Sequence, residues 1–173
     1  FGNTLWKYLG VDFYKNVQGQ RNAGNQNDQN FIIYRLAEIY LMRAEALIMQ
    51  GSEHYNDAIA DIAFVRNRAG ISEVLSAYPT EIEMLDFLLK ERIRELCGEG
   101  KAWFDLLRVA RRHNYEYKDY MIREVLTSLS PGMYDVVRAK LANEGAHYLP
   151  IHQDETKSNR LLTQNEYYTS LGY

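Results

Sequence analysis

From Phe31 onward the hydrophobic positions recur with a helical period. In YRLAEIYLMRAEALIMQG, Leu36, Ile39, Tyr40 and Leu47 form one apolar stripe, and Ala37, Leu41, Ala44 and Ile48 a second beside it. A helix this apolar over two faces is expected to pack against neighbours on both sides. Arg35, Glu38 and Glu45 share the strip left over, and Gly51 stands where a helix-ending glycine belongs. The stretch NDAIADIAFVRNRAG predicts a second helix, with Asn56 as its N-cap, Ala58, Ile59, Ile62, Val65 and Ala69 facing inward, and Gly70 as its stop. Together these form an antiparallel helical hairpin of about 35 residues, close to the tetratricopeptide unit of roughly 34. The chain carries no second copy of it.

PTEIEMLDFLLKERIRELCGEG opens with a capping box, Thr80 followed three residues later by Glu83. Its apolar stripe is Ile82, Leu85, Leu89, Ile93 and Leu96. After Gly98 and Gly100, GKAWFDLLRVARRH continues or restarts the helix. Shorter helices are predicted over 119–129 and 133–143, on either side of Ser130-Pro131-Gly132. No strand pattern is present, and the predicted class is all-α. Residues 1–30 differ in kind: five aromatics in FGNTLWKYLGVDFY precede the run KNVQGQRNAGNQNDQN, whose amide side chains compete with backbone pairing and predict a loop.

Composition narrows the function classes. The chain has 173 residues, 46% apolar and 25% charged, which suits a globular fold of one domain with an ordinary core. A net charge of −3 leaves no electrostatic footprint for nucleic acid. Arg108, Arg111, Arg112 and His113 cluster where a helix ends, a place that suits cations without any phosphate. No apolar run reaches the ~20 residues of a membrane-spanning helix. One cysteine excludes an internal disulfide framework, and its place beside an apolar stripe predicts Cys97 to be a buried, inert thiol. The chain begins at Phe1 with no Met and no leader-like segment, so it is expected to be part of a longer protein.

Candidate chemistry is sparse. Glu91, Arg92, Arg94, Glu95, Glu99 and Lys101 form a dense charge cluster; helical spacing predicts pairs such as Glu91 with Arg94 and Arg92 with Glu95, and Asp105 with Arg108 follows the same rule. Glu144 and His147 match one half of a di-iron motif whose other half the chain lacks, so no metal is expected. No nucleotide-binding or nucleophile motif appears, and no cofactor or catalytic residue is assigned. Of the 14 tyrosines and other aromatics, Trp6, Tyr8 and Tyr14 beside the polar loop are the candidates for ligand contact.

Five stretches, in this order, resemble the C-terminal region of the SusD/RagB family of outer-membrane nutrient-binding lipoproteins. They are RLAEIYLMRAEA (Arg35–Ala46), VRNRAG (Val65–Gly70), ERIRELCGEGKAWFDLLR (Glu91–Arg108), LPIHQDE (Leu149–Glu155) and NRLLTQNEYY (Asn159–Tyr168). The resemblance covers about residues 31–168. It makes 31–173 a C-terminal helical domain behind a lead-in loop at 1–30. His152 stands where the family has a second proline and is expected to loosen a turn; 115–147 has no counterpart and reads as an insertion.

The resemblance implies a tetratricopeptide-like scaffold with irregular loops and a docked C-terminal tail. It implies a non-enzymatic, surface-exposed component of the cell outer membrane, held by a lipid anchor that this chain does not contain. Such a protein delivers oligosaccharide or another nutrient to a TonB-dependent transporter. No ligand residue carries over, because the glycan-contacting aromatics of the best-known members lie mostly before this region. Arg35, Glu38, Glu45, Arg66, Glu91, Arg92, Glu95, Trp103, Asp105, Arg108, Pro150 and Asn165 are expected to be structural. The tail is expected to satisfy helix-end groups with its amides and to pack Leu161, Leu162, Tyr167 and Tyr168 on the helices. The alternative is a helical-repeat adaptor for a protein partner.

Overall fold

A computed structural model describes residues 32–73 and 75–172, and every regular element among them is helical. Trp6, Tyr8, Tyr14 and the lead-in loop lie outside the described residues. The chain divides into two compact units after Ala102.

The first unit holds α1 (Leu36–Gln50), α2 (Tyr55–Arg68) and α3 (Glu81–Glu95). Helices α1 and α2 pack as the predicted hairpin, and α3 packs on both. Leu41, Ala44, Ile48, Ala58, Ile62, Val65, Met84, Leu85, Leu88 and Leu89 make a closed core, with Ala44 and Ala58 as the small residues at the contact. Each large side chain withdrawn this way stabilises by about 1.5–3 kcal/mol.

Which stripe is buried differs from the expectation. On α1 the second stripe goes inside together with Glu38 and Glu45, whereas Leu36 and Ile39 are 68% and 48% exposed. On α3 the buried face carries Met84, Leu85, Leu88, Leu89, Glu91, Arg92 and Leu96, and Ile93 is exposed. Both helices turn their charged positions toward each other, and the apolar residues sharing that face go in with them. Helix α2 starts two residues earlier than an Asn56 cap implies, fed by a 3-10 turn at Ser52–His54, so His54 occupies the N-cap position and Asn56 sits within the first turn. Ala69 is exposed, and Gly70 follows at φ +83°, a left-handed conformation that ends the helix. Thr80 and Glu83 form the predicted box in both directions. Cys97, beyond the end of α3, is exposed rather than buried, because the helix stops before that position can face the core.

The second unit is built from shorter pieces: α4 (Ala102–Ala110), α5 (Arg112–Tyr115), α6 (Lys118–Thr127), α7 (Tyr134–Ala142), α8 (Gln153–Ser158) and α9 (Glu166–Thr169). The chain restarts as α4 after Gly100, and α6 and α7 flank the Pro131 turn as expected. Within α5, His113, Asn114 and Tyr115 have φ of 49°, 61° and 66°, three left-handed residues in a row with no glycine among them. Each costs roughly 1–2 kcal/mol unless its side chain is held, Asn less than the others.

The tail is tied to the segment before it. Gln164 reads the backbone of Ile151 in both directions, accepting from its N–H at 3.0 Å and donating to its carbonyl at 2.9 Å. Asn165 donates to the Gly145 carbonyl at 2.8 Å and accepts from the Tyr167 N–H at 3.0 Å, which caps α9. The Tyr168 hydroxyl donates to the Tyr148 carbonyl at 2.6 Å. Gly145 is required here: a Cβ would lie 2.6 Å from that of Tyr167. Leu161 is 91% exposed and Leu162 is also exposed, so the tail is held by polar clasps and Tyr168 rather than by leucines. His152 tightens its turn instead of loosening it. Its φ of −63° is one a proline would adopt, and its Nδ1 accepts from the Asp154 N–H to cap α8.

Candidate functional site

Two arrangements stand out, one in each unit. In the first unit the motif residues find one another across the helices. Arg66 of α2 donates to Glu91 of α3 at 2.8 Å and to Glu73 at 2.7 Å. Glu38 of α1 lies 3.6 Å from Arg92 and 3.2 Å from Lys101. Arg35 reaches Glu95 at 2.5 Å and Glu99 at 3.0 Å, and Arg68 reaches Glu95 at 2.6 Å. Burial opposes the charge of Arg35, but the hydrogen bonds and charges of Glu95 and Glu99 outweigh it and raise its pKa. Glu91 also keeps its helical neighbour Arg94 at 3.3 Å.

The charge cluster is therefore mostly interhelical. The spacing rule found Glu91 with Arg94 but missed the partners from α1 and α2, which lie 25 to 64 residues away. Off the motifs, buried Asp61 receives Arg43 through two hydrogen bonds. Glu91 is buried and engaged by two guanidinium groups, which leaves it ill suited to take up a proton as a general base.

In the second unit, α4 and the segment 147–149 enclose a groove of about 650 Å³. It is lined by Trp103, Phe104, Leu107, Arg108, Arg111, His147, Tyr148 and Leu149. Phe104 and Leu149 are 63% and 84% exposed. Asp105 is buried and holds Arg108 at 2.9 Å. The Arg111 guanidinium lies 5.7 Å from the Tyr148 ring centre. His147 is buried, with its Nε2 2.8 Å from the Leu141 carbonyl. That contact requires the proton on Nε2 and leaves Nδ1 of the neutral ring as an acceptor, which has no hydrogen-bond partner among the described residues. Around this ring stand Trp103, edge-on at 6.5 Å, and Tyr115 at 5.7 Å. Burial and then a side-chain hydrogen bond with Tyr148 push the Tyr115 pKa up to about 12.

Sequence reasoning placed Trp103 and Arg108 among the structural residues, weighed His147 only as half a metal motif, and did not see Tyr115, Tyr148 and Arg111 as neighbours. The run from Ala146 to Leu149 was the available signal: two rings beside an exposed leucine in a polar stretch. Glu144 of that motif pairs with Lys118 at 3.5 Å, and no group of three or more potential ligands for a metal occurs among the described residues. Asn165 belongs to the tail clasp, and Pro150 precedes Ile151, whose backbone Gln164 holds. No helix among the described residues is long and apolar enough to cross a membrane.

The family model described as the SusD family matches residues 2–168. The chain belongs to the SusD family, and the motif network and the tail clasp are how its sequence pattern is used in space. Among curated relatives it is similar to the starch-binding protein SusD of Bacteroides thetaiotaomicron, 30% identical over 141 residues, 82% of this chain and 22% of that protein. It is also similar to SusD-like protein P38 of Formosa agariphila, 34% identical over 90 residues, 47% of this chain and 17% of that protein. SusD-like protein P2 of the same organism is 31% identical over 106 residues, 56% of this chain and 20% of that protein. The chain spans about a fifth of the length of the curated relatives it matches. No solved structure matches it.

Proposed function

We propose that this chain is the C-terminal part of a longer, non-catalytic glycan-binding protein of the outer membrane. That protein captures oligosaccharide at the cell surface and delivers it to a TonB-dependent transporter, and a lipid anchor outside this chain holds it to the membrane. The observation that carries the reading is the family match over nearly the whole chain, joined by a relative named for starch binding. Its motif residues and tail have an architectural role. The Arg35, Glu38, Arg66, Glu91, Arg92, Glu95 network locks three helices in one register, and the clasp through Pro150 to Asn165 closes the second unit.

Isothermal titration of the full-length protein with a panel of oligosaccharides tests the binding role, and affinity purification from its own membranes tests the transporter. Saccharide binding without turnover, together with a co-purifying TonB-dependent transporter, is the expected result. A full-length protein that binds no saccharide and instead retains a soluble protein partner favours the adaptor reading.

A further inference from the structure

We propose that the Trp103–Tyr148 groove is a subsite for an acidic sugar, a uronate residue of an oligosaccharide. The inference rests on the glycan-binding reading and assigns that reading a site.

Three observations converge on the groove. First, its walls combine rings with cations, and among the described residues no carboxylate lines it: Trp103, Phe104 and Tyr148 offer apolar faces, and Arg108 and Arg111 carry the charge. A sugar ring presents a C–H face that packs on an aromatic ring, so the rings favour a saccharide over a bare anion. Arg108 is already held by Asp105, whereas among the described residues Arg111 stands over Tyr148, lies near Tyr115 and has no ion pair. Its planar fork of donors matches a carboxylate two bonds at a time. Two guanidinium groups among the described lining residues favour an anionic sugar over a neutral one.

Second, the wall holds an unmet polar atom. His147 is 2% exposed, its Nε2–H is fixed on Leu141, and its Nδ1 accepts from no group among the described residues. Buried acceptors without donors are uncommon and costly, and a sugar hydroxyl at the inner wall is a donor of the right kind once the ring edges shift to admit it. Third, among the described residues the non-glycine positions with positive φ lie together beside the groove. The left-handed run His113-Asn114-Tyr115 brings the Tyr115 ring against His147 and into contact with Tyr148. Strain of this kind persists where surrounding structure holds it and clusters at binding sites. Here it fixes the ring that backs the groove.

In the bound state the uronate carboxylate accepts two hydrogen bonds from Arg111, the sugar ring lies on Tyr148 or Trp103, and a hydroxyl donates to His147 Nδ1. The test uses the full-length protein and two probes of equal length, trigalacturonate and maltotriose, titrated calorimetrically into wild type, Arg111→Ala, Arg111→Lys and Tyr148→Ala. Arg111 and Tyr148 are exposed, so thermal unfolding is expected to show these variants folded. Wild type is expected to prefer trigalacturonate. Arg111→Ala should weaken trigalacturonate roughly 10- to 100-fold, the loss of a charge-assisted pair, with the effect shrinking at high salt. Arg111→Lys should restore only part of the loss, and Tyr148→Ala should weaken binding by about 10-fold.

Equal affinity for the two trisaccharides overturns the acidic specificity. Saccharide binding that Arg111→Ala and Tyr148→Ala both leave unchanged overturns the subsite while the glycan-binding reading stands. Absence of binding by wild type to any saccharide in the wider panel overturns that reading and the subsite with it.

Discussion

The two units of this chain hold themselves together by different means. In α1–α3 the regular helices bury a hydrophobic core beside charged groups that pair across it, Arg66 with Glu91 and Glu38 with Arg92. In α4–α9 the helices are short, α7 buries only Leu141, and side chains hydrogen-bond to backbone at most turns. The difference teaches where each unit is vulnerable. A long-range ion pair in a dry interface cannot lose one partner without stranding the other. A clasp made of separate amide contacts can lose one and keep the rest.

The sharpest way to break this contrast is Arg66→Met. It leaves buried Glu91 with Arg94 as its remaining guanidinium partner, and a loss of about 3 kcal/mol, the lower end for breaking a buried pair, is expected. Chemical denaturation of the full-length protein measures it, and Arg66→Met with Glu91→Leu together should recover most of the loss. If the single and double variants are equally unstable, the network is not what holds the first unit.

In the second unit the largest effect is expected at Gly145→Ala. The added methyl meets the Tyr167 Cβ at 2.6 Å, within a contact where the Asn165 side chain bonds to the backbone of both Gly145 and Tyr167. Overpacking of about 1–3 kcal/mol should follow, seen as hydrogen exchange of the Tyr167 and Tyr168 amides rising ahead of those in α1–α3. Uniform loosening of both units would remove the distinction between them.

A smaller loss, about 1 kcal/mol, is expected for Thr80→Ala, which removes one side of the α3 capping box; the midpoint should fall by roughly 2–4 °C. The smallest effect at neutral pH belongs to Tyr115. Its folded pKa of about 12 lies above the ordinary value of 10.0, so the neutral hydroxyl is the form the fold favours. The stability it contributes is complete below about pH 10 and is lost as pH rises through the folded value. Denaturation midpoints between pH 9 and about 12 should fall less steeply for Tyr115→Phe than for wild type. Identical slopes would mean that Tyr115 is not held as described.

Much of the architecture was legible because it is local. The hairpin of α1 and α2, the capping box at Thr80 and the helices around Pro131 follow from periodicity, caps and breakers that act within a few residues. The candidate groove was not legible. Trp103, Tyr115, His147 and Tyr148 are up to 45 positions apart, and the left-handed turn that aims Tyr115 occurs at residues with no glycine to announce it. Gln164 and Asn165 could be read as docking amides, but not which backbone groups they would meet.

By itself the sequence determined the helical class, the hairpin and the family pattern, because each depends on neighbours along the chain. Only the tertiary structure decided which face of α1 and α3 went inside. Both helices offer apolar residues on more than one side, so hydrophobic burial alone is nearly indifferent among the faces. The pairing of Glu38 with Arg92 and of Arg66 with Glu91 breaks the tie, because a buried charge is tolerated only opposite its partner.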